Sequence, residues 1–510
     1  MSDTHASPSP TGIKAESLTD DYHGSAVATT AAAAPEAPVE YTKEEETRLV
    51  RKIDLVVVPI LMFLYLLSFL DRSNIGNARI EGLIDDVGIT DYSSILTIFF
   101  VGYVIGEVPA SLILKRTSPT FWLSTLTLLW GIVSVIMAFV PNQASLYAVR
   151  FFLGVSESGL FPGSVFVFSL YYPRHQRHYR TALLLSGAAV SGAFGGILAY
   201  GLAKLGGKGG LAAWQYIFLL EGLVTVVAGA LGYWLVPNYP QRSKTFSARE
   251  KAIIAHRMAE DADAVDNEPF NWHGVRAAFR DPYVYLMGLL FHGFAFALYT
   301  ISNFMPAIIK ELGYTSAQAQ LLTVPPYAFA FLVTMSTAHL SFLARKRLVF
   351  IILAALLAIV GYVVQITSPT VGGKYTAVFI TAAGVYAGNA LLLSLPSENV
   401  SGQTKRATAL AMQIMFGNTG SIIGVQLYRT PLGSLKNTNY RISHGLAIVW
   451  LGIGIGAASA LWILLDRENK RRDREVQRKS DEEGKSAEQL QSVEEKRLLG
   501  DRRLDWRYQI

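Results

Sequence analysis

The chain has no cysteine among its 510 residues, which excludes structural disulfides and thiolate metal sites. It is also poor in charge, because Asp, Glu, Lys and Arg make up 16% of it, against roughly 25% in an average soluble domain. No phosphate-binding Gly-x-x-x-x-Gly-Lys-Ser/Thr loop, nucleophile elbow or metal-ligand spacing is present. We therefore expect neither an enzyme nor a bound cofactor. What remains is a chain that is 51% hydrophobic.

Long apolar stretches recur along the chain. A helix needs about 20 mostly apolar residues to cross ~30 Å of hydrocarbon. Twelve stretches meet that length, at 53–78, 92–114, 120–140, 144–170, 181–203, 214–236, 282–304, 316–340, 347–367, 374–396, 406–428 and 444–465. They predict an all-α integral membrane protein of twelve transmembrane helices. A large soluble helical protein would show shorter helices with a polar stripe.

Positive residues concentrate in alternate loops. They follow the second, fourth, eighth and tenth stretches, as Lys115, Arg116, Arg174, Arg177, Arg180, Arg345, Lys346, Arg347, Lys405 and Arg406. The opposite loops are poorer in positive charge, although the last one contains Arg429, Lys436 and Arg441. Because Lys and Arg accumulate in cytoplasmic loops, the pattern predicts that both termini are cytoplasmic. The net charge of +6 is then a signal of topology, and we expect no nucleic-acid partner.

The longest internal polar stretch, 237–281, divides the spans into six plus six. We expect an N-terminal six-helix bundle over 51–236, a cytoplasmic linker over 237–281 and a C-terminal six-helix bundle over 282–466. An amphipathic helix over 247–261 begins with a capping box, Ser-Ala-Arg-Glu. Residues 1–50 are predicted to be a disordered cytoplasmic tail, and 467–510 a solvated cytoplasmic tail. Many secondary transporters pair two such halves, with the substrate site between them.

Two pairs of glycines four residues apart suggest that the halves repeat one another. Gly192 and Gly196 lie in the fifth span, and Gly420 and Gly424 lie in the eleventh, its counterpart in the second half. Small residues at this spacing let helix backbones pack closely in lipid.

Ionisable residues inside spans carry the functional signal, because each costs at least about 2.5–3.5 kcal/mol on insertion scales. Asp71 and Arg72 end the first span. Arg150 and Glu157 lie seven residues apart in the fourth, and so on one helix face. Two alternatives stay open. The first helix could stop at Leu70, leaving its pair interfacial, and the fourth-span pair could be a structural ion pair between helices.

Other polar residues have weaker signals. Glu107 and Glu221 are expected to brace the structure, Glu107 at a cytoplasmic gate with Lys115 and Arg116. The C-terminal half offers mostly neutral polar groups, among which His292, Asn303 and Asn389 are candidate substrate contacts. A lone histidine among aromatic residues is more often a packed helix residue.

These charges suggest proton-coupled transport of an anion. Burial disfavours the ionised form of a carboxyl group, so Asp71 and Glu157 are candidate proton carriers. The guanidinium of Arg72 or Arg150 matches a carboxylate. Proton and anion entering together reduce the negative charge moved, which permits uptake against an inside-negative potential.

Several motifs resemble the major facilitator superfamily, and more closely the fungal allantoate and nicotinate permease branch of its anion:cation symporter family. The stretches that carry the resemblance are Leu70-Asp-Arg-Ser-Asn-Ile-Gly-Asn-Ala78, Arg150-Phe-Phe-Leu-Gly-Val-Ser-Glu-Ser-Gly-Leu-Phe-Pro-Gly163, Trp214-Gln-Tyr-Ile-Phe-Leu-Leu-Glu-Gly222, Gln320-Leu-Leu-Thr-Val-Pro-Pro-Tyr327 and Asp505-Trp-Arg-Tyr508. The resemblance implies the two-bundle fold and alternating access. It also implies roles in substrate binding and proton coupling for Asp71, Arg72, Arg150 and Glu157.

The chain departs from the pattern of this branch at Gln215, where members usually have Arg, and around Ser394 to Asn399. Those departures affect the identity of the substrate more than the fold. We therefore expect a monomeric plasma-membrane symporter of a small organic carboxylate with a proton. The alternatives are an exporter of an acidic secondary metabolite and, less favoured, a non-transporting nutrient sensor.

Overall fold

A computed structural model describes residues 40–260, 272–429, 440–483 and 500–509, apart from the side chains of 115, 174, 175, 178, 259, 260 and 403. Over these ranges the chain is helical and contains no strand. The described residues from Tyr41 onward form one compact unit. Residues 1–39 of the predicted N-terminal tail lie outside the described part of the chain.

The first half comprises eight helices, because two of its spans are interrupted. These are α1 (Lys43–Ala78), α2 (Ile84–Val87), α3 (Tyr92–Arg116), α4 (Pro119–Met137), α5 (Gln143–Glu157), α6 (Leu160–Tyr171), α7 (Arg174–Ala203) and α8 (Ala213–Leu235). A short π-helical segment, Arg79–Leu83, joins α1 to α2.

Within the described ranges, the linker contains two α-helices and the second half contains seven. They are α9 (Ala248–Glu260) and α10 (Trp272–Phe279) in the linker, followed by α11 (Pro282–Glu311), α12 (Ser316–Ala344), α13 (Arg347–Thr367), α14 (Val371–Leu392), α15 (Leu395–Asn399), α16 (Gln403–Leu427) and α17 (Arg441–Glu483).

The predicted spans coincide with these helices. Eleven helical stretches within the described ranges are long and apolar enough to cross a membrane. The remaining predicted span, 406–428, is α16, which is 25 residues long but interrupted by polar residues such as Gln413, Asn418 and Gln426. The prediction of an all-α membrane protein is confirmed.

Two helix boundaries differ from the sequence prediction. The first helix begins at Lys43, so the predicted tail over 1–50 extends too far; Thr42 and Glu45 form a capping box that starts the helix early. The fourth span is broken in two between Glu157 and Leu160. Pro162 has no backbone N–H to donate to the preceding turn, which favours an interruption there.

The two linker helices each attach to one half at the end of the bundle where α1 begins, which we call the terminal end. In α9, Glu250 pairs with Lys52 at 2.8 Å and Arg257 pairs with Glu46 at 2.9 Å. Ser247 caps the helix through Glu250, as the sequence predicts. The α10 helix packs against the start of α16 in the second half. One linker helix is therefore attached to each half.

The two halves meet closely at the other end of the bundle, which carries residues 79–91 and 311–316 and which we call the opposite end. Lys310 and Ser316 of the second half donate to the carbonyl oxygen of Ile80, at 3.3 and 3.0 Å. Gln320 donates to Glu81 at 3.1 Å, and Gln426 donates to Thr97 at 2.7 Å. This end of the interface is held shut by hydrogen bonds.

The two glycine motifs pack on different partners. A Cβ at Gly196 would lie 2.5 Å from the carbonyl oxygen of Gln320, so α7 of the first half touches α12 of the second. A Cβ at Gly420 would lie 2.2 Å from the carbonyl oxygen of His292, so α16 packs on α11 within the second half. The glycine motif of α7 thus makes a contact between the halves, and the matching motif of α16 makes a contact within the second half.

The C-terminal segment 500–509 folds back onto the terminal end of the second half. Trp506 is 1% exposed and Tyr508 is 6% exposed. Arg472 of α17 donates to the carbonyl oxygens of Asp501 and Trp506, at 2.8 and 3.2 Å. The prediction of a solvated tail is therefore wrong for these residues, because buried aromatic side chains anchor them.

This C-terminal segment also contacts the α14–α16 connection. Asn399 exchanges two hydrogen bonds with the backbone of Gln509, at 2.7 and 3.2 Å. Lys405 lies 2.5 Å from Asp501 and 2.7 Å from Asp281, the N-cap of α11. The segment thus ties α11, α16 and α17 together at one end.

We predict that Trp506→Ala destabilises the protein. Removing a fully buried tryptophan costs about 3–5 kcal/mol in soluble cores, and Trp506 is 1% exposed. Thermal unfolding of the purified protein in detergent measures the effect. Trp234→Ala is the matched control, because Trp234 is 80% exposed and should change the unfolding temperature little. Equal unfolding temperatures for the two variants would contradict the docked position of the segment.

Candidate functional site

A buried ion pair lies at mid-depth between the two halves. Nη2 of Arg72 on α1 lies 2.8 Å from Oε2 of Glu157 on α5, and Nε of Arg72 lies 3.3 Å from the same oxygen. The Glu157 residue is 0% exposed and Arg72 is 7% exposed. Ser68, one turn before Arg72, donates to the same carboxylate oxygen at 2.9 Å. The fork therefore bonds one oxygen of Glu157, and Oε1 has no hydrogen-bond partner among the described residues.

Aromatic rings surround the guanidinium of Arg72. Its central carbon lies 5.1 to 5.6 Å from four ring centroids, those of Phe69, Phe99, Tyr103 and Tyr299. Faces of aromatic rings attract cations, and they do so more strongly when water is excluded. The rings therefore stabilise a positive charge at this depth without neutralising it.

The second half reaches this site through Tyr299 of α11. Nη1 of Arg72 donates to the Tyr299 hydroxyl at 2.6 Å. A narrow cavity lies beside the pair at the interface of the halves. The first half contributes Tyr65, Ser68, Arg72, Tyr103 and Glu157 to its wall, and the second contributes Phe291, Tyr299 and Asn418.

Asp71, the neighbour of Arg72, points away from the cavity. Trp130 donates to its carboxylate at 3.2 Å and Ser134 donates at 3.0 Å, both from α4. The Thr225 hydroxyl of α8 lies 3.3 Å away. Asp71 is 1% exposed, so the helix continues well past Leu70 and the interfacial alternative is wrong. Of these two consecutive residues of α1, Asp71 therefore bonds inside the first half and Arg72 lines the cavity.

Arg150 lies on α5 two turns from Glu157, towards the opposite end. It is 1% exposed, and its Nε and Nη2 atoms have no hydrogen-bond partner among the described residues. The sequence placed Arg150 and Glu157 on one helix face and left open a structural ion pair between helices. In the structure Glu157 pairs with Arg72 of α1, so the fourth-span carboxylate does join two helices.

Glu107, expected to brace a cytoplasmic gate with Lys115 and Arg116, is 0% exposed, and neither of its carboxylate oxygens has a hydrogen-bond partner among the described side chains. Arg116 lies at the exposed end of α3, nine residues further on, and the side chain of Lys115 lies outside the described part of the chain. The bracing role of Glu107 stays a prediction. Glu221 accepts a hydrogen bond from Asn74, which links α8 to α1 inside the first half.

The neutral candidates of the second half are dispersed. Trp450 donates to Nε2 of His292 at 3.2 Å, and Nδ1 of His292 lies 3.0 Å from the carbonyl oxygen of Phe416. The ring is therefore packed between α11, α16 and α17, away from the cavity wall. Asn303 donates to the carbonyl oxygen of Tyr299 at 2.7 Å. Neither Asn303 nor Asn389 lines the cavity, although both are buried.

Sequence reasoning did not select Ser68, Tyr299 or Asn418 as site residues. Ser68 could have been found, because it lies four residues before Arg72 and so on the same helix face. Asn418 is a polar residue inside a predicted span, like others that do not reach the cavity. Tyr299 has no distinguishing signal in the sequence, since its place depends on how the two halves meet.

The fold and the buried charged site at the interface of its halves define a membrane transporter built of two six-helix halves. The family model described as Major Facilitator Superfamily matches residues 61–425. The chain therefore belongs to the major facilitator superfamily, and it is a multi-pass membrane protein with a small-molecule substrate. This confirms the family resemblance at the level of the superfamily.

Relatives of known sequence agree with that assignment. The chain is 34% identical over 393 residues to the uncharacterized transporter C1002.16c of Schizosaccharomyces pombe, covering 76% of this chain and 79% of that one. It is 33% identical over 406 residues to a putative tartrate transporter of Agrobacterium vitis, covering 79% and 92%. It is 31% identical over 440 residues to the MFS-type transporter cnsO of Penicillium expansum, covering 83% and 84%.

A solved structure shares the fold. A bacterial homolog of the human lysosomal transporter Spinster, in an inward-facing and occupied conformation, aligns with a TM-score of 0.59 and 16% identity. The alignment covers 83% of this chain and 97% of that one.

We predict that Asp71→Asn lowers stability but leaves substrate accumulation intact. The change removes the charge that Trp130 and Ser134 bond, and a buried donor left unpaired costs about 1–3 kcal/mol. The measurements are thermal unfolding and substrate accumulation by the purified, reconstituted protein. Loss of accumulation with unchanged unfolding would instead make Asp71 a proton carrier, as the sequence suggested.

Proposed function

We propose that this transporter is a symporter that moves a small organic carboxylate together with a proton, through alternating access of a site centred on Arg72 and Glu157. The observation that carries the proposal is the buried 2.8 Å ion pair on the wall of the cavity between the two halves. The pair provides one group that binds an anion and one that binds a proton.

Coupling follows from the charge balance of the pair. A buried ion pair that loses one partner leaves an uncompensated charge, which is strongly unfavourable. A substrate carboxylate that takes the Arg72 guanidinium would displace the Glu157 carboxylate and leave such a charge. A proton on Glu157 removes that charge, and Oε1 has no hydrogen-bond partner that would oppose it. Anion and proton therefore enter this site most favourably together.

The geometry of the interface supports alternating access. The halves are bonded at the opposite end, through Lys310, Ser316 and Gln320. With cytoplasmic termini, as the loop charges predict, this conformation is closed towards the outside. Opening requires those bonds to exchange for contacts at the terminal end, where each linker helix stays attached to its own half.

The chemistry of the cavity favours a small carboxylate. Arg72 supplies the fork, Ser68 and Asn418 supply neutral hydrogen bonds, and aromatic rings supply a flat apolar surface. This combination suits the substrates of the allantoate and nicotinate permease branch. Tartrate, named for the Agrobacterium vitis relative, is a second candidate. Arg150 is proposed as a further anion contact once the opposite end opens, and Asn303 and Asn389 as neutral contacts.

We propose that the protein lies in the plasma membrane. We also propose that it is a monomer, because the two halves of one chain supply both walls of the cavity. The main alternative function differs in the direction of transport. An exporter of an acidic metabolite would use the same site, with gradients setting the direction.

We predict that Glu157→Gln abolishes accumulation driven by a pH gradient but retains exchange of substrate across the membrane. Gln cannot release or bind the coupling proton, while it leaves Arg72 available for a carboxylate. Proteoliposomes loaded and assayed with labelled nicotinate, allantoate and L-tartrate at pH 5 and 7 outside measure both activities. The matched control is Glu482→Gln, which removes an exposed carboxylate.

Accumulation by the Glu157→Gln protein equal to that of the unaltered protein would refute the coupling role. If none of the three acids accumulates in the unaltered protein at either pH, while cells lacking it retain an acidic metabolite, the exporter is the better assignment.

We predict that Lys208→Cys reacts with a membrane-impermeant maleimide in intact cells and that Lys244→Cys reacts only after the cells are opened. The native chain has no cysteine, so each variant has a single reactive thiol. Both lysines are exposed, Lys208 at the opposite end and Lys244 at the terminal end. The reverse labelling pattern would overturn the predicted orientation.

A further inference from the structure

Glu107 of α3 is a buried acid that the site described above does not use. It is 0% exposed, and neither carboxylate oxygen has a hydrogen-bond or ion-pair partner within the described part of the chain. Other buried acids of the first half differ in this respect. Asp71 accepts bonds from Trp130 and Ser134, and Glu157 accepts bonds from Arg72 and Ser68.

The position of Glu107 connects it to the cavity. Tyr103, one helical turn earlier on α3, lines the cavity and has its ring centroid 5.1 Å from the central carbon of Arg72. The next residue before Glu107, Gly106, packs on Val155 and Ser158, at the break between α5 and α6. Glu107 therefore lies at the depth of Glu157 on a neighbouring helix, and on the side of Tyr103 that faces the terminal end.

An unpaired carboxylate at this depth must be protonated in the conformation described. Transfer of an isolated ionised carboxylate into an apolar interior is far more costly than binding a proton. A neutral carboxyl that bonds to nothing also adds no stability that an apolar side chain of similar size would not supply. A role confined to packing therefore does not account for an acid here.

The helices packed against α3 are chiefly α5 and α16, with α4 and α6 touching less. The α4 helix carries no titratable residue. On the others, the titratable groups are Tyr147, Arg150, Glu157, Tyr171, Lys405 and Arg406, and on α3 itself they are Tyr92, Tyr103, Lys115 and Arg116. Glu157 is paired with Arg72, and Lys405 with Asp281 and Asp501. Among the side chains that the structure describes, none bonds the Glu107 carboxylate.

We propose that Glu107 is a second proton-carrying residue of the transport cycle. It holds a proton while the first half packs around it, and it exchanges that proton with the solution at the terminal end when water reaches α3 in another conformation. The inference rests on the proposed proton coupling at Glu157 and adds a second carboxyl group at the depth of that residue, on a neighbouring helix. Tyr103, one helical turn from Glu107, lines the same cavity as Glu157.

The test compares Glu107→Gln, Glu107→Asp and the unaltered protein in proteoliposomes with labelled nicotinate and L-tartrate. Gln keeps the size and removes the proton, whereas Asp keeps the proton-binding group. We expect Glu107→Gln to unfold at the same temperature as the unaltered protein and to exchange substrate, but to lose accumulation on an inward proton gradient. We expect Glu107→Asp to recover accumulation and to shift its pH profile.

Accumulation by Glu107→Gln equal to that of the unaltered protein overturns this inference while leaving the role of Glu157 intact. Loss of both exchange and thermal stability in Glu107→Gln, without recovery in Glu107→Asp, also overturns it, because that pattern belongs to a packing role. If the unaltered protein accumulates neither acid on a proton gradient, both this inference and the proposed function fail together.

Discussion

The ion pair between Arg72 and Glu157 is the interaction on which the arrangement of this transporter depends. It joins α1 to α5 at 2.8 Å in a nearly dry environment, and Tyr299 extends it to the second half. Neither charge could remain alone at that depth at a tolerable free energy. The helices that meet there are therefore held to one geometry for as long as both residues stay charged and no ligand replaces either of them.

The contacts at the interface of the halves differ between the two ends of the bundle. At the opposite end the halves share hydrogen bonds between backbone carbonyls, side-chain amides and a lysine. At the terminal end each linker helix attaches to its own half, through ion pairs in the case of α9. The C-terminal segment adds to the rigidity of the second half there, since Arg472 and Asn399 bond its backbone. Movement of one half against the other can then proceed without unfolding either.

The neighbouring residues Asp71 and Arg72 represent two kinds of buried charge. Asp71 is bonded by donors of α4 and α8 inside the first half, and Arg72 faces the cavity. Charges of the first kind hold the helices of one half together. Charges of the second kind lie where a substrate could reach them. Glu107 belongs to neither group, since it is buried without a hydrogen-bond partner among the described residues.

The sequence by itself determined the spans, the division into two halves and the short set of buried charges, because hydropathy and insertion cost depend on local composition. It also indicated the capping box of α9. Only the tertiary structure decided which charges meet. It paired Glu157 with Arg72, turned Asp71 away from the cavity, brought Tyr299 and Asn418 into it and buried Trp506. Those outcomes depend on contacts between residues far apart in the chain, and helical periodicity gives a residue's face without naming the helix that packs against it.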